Sequence, residues 1–387
     1  MRVLFVISGL MIGGAEVQTI RLVNHLARNG HTIGLHVLSD KVDKISEIDQ
    51  SIVKVIVDPR RSGLDLGVIA RLRKRLINES FDSIVSVLFD SNIYSRIATL
   101  GLKTKVINTE RSSNYQLGLK NFWTHRLTRW RVDLLVANSS QGRQHAIDYL
   151  GYHPDKCTTI WNGIDNQSAP KLEGQSSHRN HLAKLDLPAT AKLLFVIGTL
   201  YPAKDQILAI RAFAELYRSD NSWAMIVVGG ERIEKKRSLG KNRANYSQTL
   251  FALRDELKLR HAIHFLGSIP NISDSLSRAS VLLSTSAYEG FPNVVLEAMQ
   301  ADVPVVSTRY SDIEQILPFD WQVSSNRCPK QLASAVSRAY VERGQVVAVQ
   351  HRQLQVKFST HLMVHQFENV MSQGISVGTS TLLESNA

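Results

Sequence analysis

With 387 residues, the chain is too long for one ordinary hydrophobic core and is expected to divide into two domains. Hydrophobic residues at 43% and charged ones at 21% exclude a disordered or fibrous chain, and no apolar run reaches the ~20 residues that a bilayer-crossing helix needs. The formal net charge of +12 falls mainly on the first half, where residues 1–180 hold 24 Lys/Arg against 16 Asp/Glu; nucleic acid, anionic lipid and a phosphorylated small molecule all suit such a surface, and charge alone does not choose among them.

The opening MRVLFVISGLMIGGAE has the layout of a secretory leader, a basic residue before an apolar stretch. It also reads as a buried strand over residues 2–8, a glycine turn and a helix from about Ala15 to Asn29, and the pattern runs on without a cleavage-like break. TIGLHVLS, VKVIVD, DSIVSVLF, KVINTE and VDLLVANS follow as further strands, separated by segments with apolar residues at helical spacing. Residues 117–131, LGLKNFWTHRLTRWR, form one such helical segment. Residues 1–166 read as a first domain.

Residues 167–190 are polar and read as a linker with at most one short helix. A second series, AKLLFVIGTL, WAMIVVGG, AIHFLGS, ASVLLSTS and VPVVSTR, alternates with helices to build a domain over 191–350. The expected fold class is α/β, two Rossmann-like doubly wound domains facing a central cleft. A C-terminal helix over 351–372 is expected to pack back on the first domain, and residues 373–387 form a tail poor in packing residues. Cys157 and Cys328 lie far apart with no C-x-x-C spacing, which fits a reducing cytoplasm and supports neither a disulfide framework nor a metal site.

The chemistry is expected in YEGFPNVVLEAM, residues 288–299. A glutamate within an apolar helical pattern is costly to bury without a partner, so Glu297 faces one. Gly290 permits close approach, Pro292 suits a first helical turn, and the amides of that turn, with the positive end of the helix, suit phosphate or sugar oxygens. Glu289 and Glu297 can each accept from neighbouring sugar hydroxyls. Two carboxylates flanking a phosphate-friendly helix end point to a nucleotide sugar; a structural hydrogen bond at Glu297 and a plain turn at Glu289 is the blander alternative.

EGFPNVVLEAMQADVPVVST, with seven residues between Glu289 and Glu297, resembles the signature of retaining glycosyltransferases of family 4, which have the GT-B fold. GGAE at Gly13–Glu16, WNGID, GTLYPAKD at Gly198–Asp205 and FLGSI at Phe265–Ile269 fall in that family's order, so the likeness covers about residues 1–320. It implies a donor site in the second domain. There Glu289 would hold the sugar hydroxyls, Glu297 the ribose, and Gly198, Thr199, Gly290, Phe291, Pro292, Asn293 and Val294 would line the donor. Lys204 would offset the diphosphate charge as the β-phosphate leaves. Glu289 and Lys204 are thus the catalytic candidates, and no protein nucleophile is implied.

Three departures stand out. Thr199 occupies a place where the family commonly has arginine, so either Lys204 works with a cation from elsewhere, such as Arg232, or donor binding is weaker than usual; Gly230 stands where aspartate is frequent, and Asp302 where glycine is. In the first domain VINTERSSNY resembles a subgroup with Ser-Glu-Arg in place of a histidine, so Glu110 and Arg111, with Gly13 and Gly14, form the expected acceptor or diphosphate loop; a loop salt bridge between Glu110 and Arg111 is the alternative. His125 reads as a surface or packing residue. No D-x-D pair occurs, no metal is implied, and the nucleotide sugar is a substrate rather than a cofactor.

Phe122, Trp123, Leu127 and Trp130 alternate with Lys120, Arg126, Arg129 and Arg131, a pattern that either touches an anionic membrane surface or packs its aromatics inward. The leading expectation is a cytoplasmic enzyme, peripheral on the inner face of the cytoplasmic membrane, that transfers a hexose or N-acetylhexosamine to a lipid-linked or oligosaccharide acceptor in surface polysaccharide biosynthesis. A nucleotide-sugar 2-epimerase of the same fold, a nucleic-acid-binding regulator and a non-catalytic sugar-binding protein remain alternatives; against nucleic acid, the cations are dispersed and no recognised module is present.

Overall fold

The structure is a computed structural model that describes residues 1–11, 13–61, 63–112, 116–165, 182, 185, 187–188, 190–231, 246–269 and 272–373. The chain divides into two compact units, one of residues 1–163 with 360–387 and one of residues 164–359.

The first unit is built from β1 (Arg2–Ile7), α1 (Gly14–Arg28), β2 (Thr32–Val37), β3 (Val53–Val57), α2 (Leu66–Asn78), β4 (Ser83–Val87), α3 (Phe89–Ala98), β5 (Lys105–Glu110), α4 (Leu119–Thr128), β6 (Leu134–Ala137), α5 (Ser140–Asp148) and β7 (Cys157–Thr159). The sheet is parallel with strand order β3-β2-β1-β4-β5-β6-β7, Phe5 lying opposite Leu35 on one side and Val85 on the other. Near-continuous Val, Ile and Leu runs suit strands covered on both faces. On one face Phe5, Ile7 and Ile107 pack with Leu22 and Leu26 of α1; on the other Leu4, Ile84 and Val106 pack with Leu72 of α2, Tyr94 of α3 and Ala146 of α5. Local chemistry starts the helices: the Asp65 carboxylate accepts from the Gly67 and Val68 amides at 3.0 and 3.2 Å, and the Ser139 hydroxyl from the Gly142 amide at 3.0 Å.

The second unit carries β8 (Lys192–Ile197), α6 (Gln206–Ser219), β9 (Trp223–Val228), α7 (Tyr246–Glu256), β10 (Ile263–Phe265), α8 (Ser273–Leu276), β11 (Val281–Ser284), α9 (Asn293–Gln300), β12 (Val305–Thr308), α10 (Ile313–Ile316), β13 (Val323–Ser324), α11 (Pro329–Val341) and α12 (Arg343–Lys357). Its parallel sheet runs β10-β9-β8-β11-β12-β13. Strand order reverses between β1 and β4 in one sheet and between β8 and β11 in the other, and at such points the loops leaving the carboxyl ends diverge and leave room for a ligand.

The C-terminal part differs from expectation. No separate helix begins at 351: α12 runs through 350, and Phe358, 1% exposed, ends it by donating its amide to the Leu354 carbonyl at 3.0 Å and accepting from the Ile164 amide at 2.8 Å. The last helix, α13 (Thr360–Gln373), belongs to the first unit, where Met363, Val364, Phe367 and Met371 join the α1 face of the core and Lys105 donates to the Val370 carbonyl at 2.9 Å. The first unit gives way to the second after Gly163 rather than 166. Most of the expected linker 167–190, and residues 374–387 of the expected tail, lie outside the described residues.

Candidate active site

At the reversal point of the second sheet two loops meet. Gly198 and Gly229 have φ of 155° and 154°, and a Cβ on Gly229 would run into the Gly198 carbonyl, so glycine there allows the two chains to touch. Beyond Gly198 the loop is pinned by Gln206, whose amide nitrogen donates to the Thr199 carbonyl at 3.0 Å. A single 3₁₀ turn, Pro202–Lys204, then presents Lys204. Asp205 follows in the left-handed conformation, φ 43°, and caps α6 by accepting from the Leu208 amide at 3.2 Å.

The loop after β11 is stitched to this one. The Thr285 hydroxyl donates to the Lys204 and Asp205 carbonyls at 3.0 and 2.9 Å, and the Ala287 amide to the Ala203 carbonyl at 2.7 Å. Glu289 is thereby brought to Lys204, with Nζ 2.7 Å from Oε1, and the Ser286 hydroxyl donates to the same oxygen. Burial, and next the Glu289 charge, push the Tyr310 hydroxyl upward, which keeps it a neutral donor beside the site.

Gly290 is held by the Ser311 hydroxyl, which donates to its carbonyl at 2.6 Å. Phe291 is buried, with its ring centroid 6.1 Å from that of Phe358, so only its main chain is offered to a ligand. Pro292 precedes α9 at the N-cap, and no side chain caps that helix. Asn293 and Val294 occupy its first turn, and half-buried Glu297 lies four residues beyond Asn293, on the same helical face. Thr199 is exposed in the expected loop, while Arg232 lies outside the described residues. Asp302 adopts φ 59°, the conformation glycine takes without penalty, which accounts for glycine's frequency at that place. At Gly230 a Cβ would strike the Ser268 hydroxyl.

Arg327 was not anticipated. From the loop after β13 its guanidinium donates to the Asp205 carboxylate at 2.6 Å and to the Thr285 and Ser286 carbonyls at 2.8 and 3.0 Å, so one cation ties together the loops that carry Lys204 and Glu289. Only its place, an arginine after a strand and before the α11 pattern, could have hinted at this.

In the first unit Gly13 is extended at the start of α1, and Glu16 folds back toward it; burial raises the Glu16 carboxyl against the opposing pull of its own amide. Glu110 Oε1 accepts from the Arg111 and Ser112 amides at 3.0 and 3.1 Å, and Arg111 Nη1 donates to Asn162 at 2.7 Å. Burial pushes the Arg111 guanidinium down to about 10. Both residues line a cavity of about 230 Å³ beyond β4 and β5, which also reaches Phe89, Leu117, His125 and Tyr152. His125 is a packing residue, 3% exposed: its ring lies 5.3 Å from that of Tyr152, and Arg96 donates to its Nδ1 at 3.2 Å. Among the described residues, no cluster of three or more His, Cys, Asp or Glu could hold a metal ion.

The segment 117–131 forms α4 and a 3₁₀ turn. Leu119, Trp123, Leu127 and Trp130 are 81%, 55%, 69% and 68% exposed and fall at spacings of four, four and three, one continuous stripe turned outward. Arg131 is not part of that surface: it donates to the Thr99, Leu102 and Thr104 carbonyls and pairs with Asp133.

Residues 12–168 match the model of Glycosyltransferase Family 4, and residues 177–320 that of Glycosyl transferases group 1. A D-inositol 3-phosphate glycosyltransferase of Kineococcus radiotolerans is 30% identical over 183 residues, 46% of this chain and 39% of that protein. The N-acetylgalactosamine-N,N'-diacetylbacillosaminyl-diphospho-undecaprenol 4-alpha-N-acetylgalactosaminyltransferase of Campylobacter jejuni is 26% identical over 54% of this chain and 52% of its own. The chain thus spans about half the length, or less, of these relatives. The Anabaena protein HepE, solved in complex with UDP, shares the fold with a TM-score of 0.77 at 18% identity, over 96% of this chain and 100% of that one. With two parallel doubly wound sheets and both family models matched in tandem, the chain belongs to glycosyltransferase family 4 and has the GT-B fold.

Proposed function

We propose that the protein is a retaining, metal-independent glycosyltransferase that moves a hexose or N-acetylhexosamine from a nucleotide diphosphate sugar to a lipid-linked glycan acceptor in surface polysaccharide biosynthesis. The observation that carries this reading is the Lys204–Glu289 pair at the entry to α9, with Glu297 on the helix behind it. Glu289 would accept from donor-sugar hydroxyls and Glu297 from the ribose, while Lys204 and the first turn of α9 would meet the diphosphate. As the bond from the anomeric carbon to the β-phosphate oxygen breaks, negative charge grows on the departing phosphate, and a cation already in place stabilises it without reorganisation. The Campylobacter relative's name, with its diphospho-undecaprenol, supports a lipid-linked acceptor.

A thermal-shift panel of UDP, GDP and ADP sugars tests the donor assignment: one raises the melting temperature, and Glu297→Ala abolishes the rise because the ribose partner is lost. An equal rise in the variant removes Glu297 from that role. Product anomeric configuration read by NMR tests retention.

The same proposal places the enzyme on the inner face of the cytoplasmic membrane, through the α4 stripe with Lys120 and Arg126 beside it. Trp123→Ser with Trp130→Ser is expected to abolish sedimentation with anionic vesicles and to slow transfer to a lipid acceptor while leaving nucleotide-sugar binding intact. Unchanged sedimentation refutes the placement. Arg131 is unsuitable for this test, since its removal strips three carbonyls of their donor.

A further inference from the structure

In the second unit two donors of different kinds meet one carboxylate oxygen. Lys204 Nζ lies 2.7 Å from Glu289 Oε1, and the Ser286 hydroxyl donates to the same atom. The two are not equally free to leave it. Lys204 carries its ammonium on a flexible, partly exposed four-carbon stem, whereas Ser286 is 2% exposed. The Ser286 main chain is fixed as well: its carbonyl accepts from the Thr308 hydroxyl of β12 at 2.8 Å and from Arg327 Nη1 at 3.0 Å. Thr308 is itself fully buried, so the hydroxyl that meets Glu289 is anchored to the sheet.

A diphosphate arriving at Lys204 draws the ammonium away from Glu289. The carboxylate is largely buried, and losing a charged partner there costs more than it would at an open surface. A hydroxyl is a neutral donor. It stays on Oε1 after the cation has turned away and offsets part of that loss. We propose that Ser286 is a positioning residue, which holds the Glu289 carboxylate in place while Lys204 passes from it to the diphosphate. The cation is then released at lower cost, and the carboxylate stays aimed at the donor sugar. This inference rests on reading Lys204 as the cation that meets the diphosphate and Glu289 as the sugar-binding carboxylate, and it names the group that lets the one leave the other. Ser286 acts through Glu289 and not on the donor.

Titration calorimetry on the full chain, with UDP, GDP and ADP as probes, tests it in Ser286→Ala, in Glu289→Gln and in the two combined. Ser286→Ala is expected to weaken the tightest of the three about three- to tenfold, because a carboxylate short of one donor competes harder for Lys204. In the Glu289→Gln background no carboxylate charge competes, and adding Ser286→Ala should change the affinity less than about twofold. A hydroxyl that merely shapes its loop would give the same loss in both backgrounds. Equal losses overturn the inference, and so does unchanged binding in Ser286→Ala alone. Ser286→Cys keeps the size but offers only a weak S–H donor, and carries the same expectation should Ser286→Ala fail to fold. Lys204→Met reads the underlying assignment separately. If it leaves affinity unchanged, both readings fall; if it weakens binding while the losses at Ser286 are equal, this inference alone falls.

Discussion

Glu289→Gln changes one charge at constant shape, and the geometry predicts effects of opposite sign on two measurements. Lys204 Nζ lies 2.7 Å from Glu289 Oε1. At that separation the attraction is ~1.5 kcal/mol in water-like surroundings and ~6 kcal/mol at an effective dielectric of ~20. The side chains keep 27% and 13% of their exposure, so solvent screening favours the lower figure. A diphosphate arriving at Lys204 must share that cation with the carboxylate and sit near its like charge. Removing the carboxylate charge is therefore expected to tighten binding of the free nucleoside diphosphate, by up to about tenfold for ~1.5 kcal/mol.

Transfer should move the other way. The variant trades a charged acceptor for a neutral amide at the place proposed for donor-sugar hydroxyls, an expected loss of ~1.5–3 kcal/mol, or about ten- to 150-fold in kcat/KM. Titration calorimetry with the nucleoside diphosphate, beside single-turnover transfer, reads the two effects independently. Lys204→Met should weaken both. If Glu289→Gln weakens nucleoside diphosphate binding as much as it slows transfer, Lys204 is not the cation that meets the diphosphate.

Thr199→Arg restores the cation common in the family at an exposed position beside Gly198, and donor affinity measured by calorimetry should rise several-fold; an unchanged value would mean that this side chain does not face the diphosphate. Arg327→Ala breaks a 2.6 Å bond to Asp205 and two bonds to carbonyls, and kcat/KM should fall about ten- to 100-fold with partial rescue by Arg327→Lys, whereas a loss confined to melting temperature refutes a positioning role. Stability of the first unit should fall as pH drops from about 6.5 toward 4. Burial and the Arg75 charge hold His36 at about 4, His125 is held at about 3, and the unfolded chain binds both protons first, giving a slope of up to ~2.7 kcal/mol per pH unit; a flat melting temperature across that window refutes it.

The strands were legible where parallel pairing demands unbroken apolar runs, as in RVLFVI and WAMIVV, both buried along nearly their whole length. β7 and β13, of three and two residues, are too short to carry a period, and α12 buries Val346 and Leu354 while exposing Val356, so its apolar residues trace no single face. The break at Phe358–Thr360 has no local pattern behind it: there the Phe358 carbonyl accepts from the Ile164 amide, nearly two hundred residues away in the chain.

Lys204, Glu289 and Glu297 could be singled out because each is tied to a short local pattern. Arg327 and His125 could not. Arg327 spends its donors on two main-chain carbonyls, which every residue type supplies, and on a carboxylate 122 positions earlier. His125 lies in a helix whose neighbours Trp123, Arg126 and Leu127 are exposed, and only its bond to Arg96, 29 positions back, and its contact with Tyr152 reveal it as part of the cavity wall. The residues proposed to touch the donor follow from the loop they stand on, whereas those that hold the loops or shape the cavity follow from which loops the strand order brings together. In the second unit that meeting occurs where the order reverses, between β8 and β11, whereas the first unit's cavity lies beside β4, β5 and β6, away from the reversal between β1 and β4.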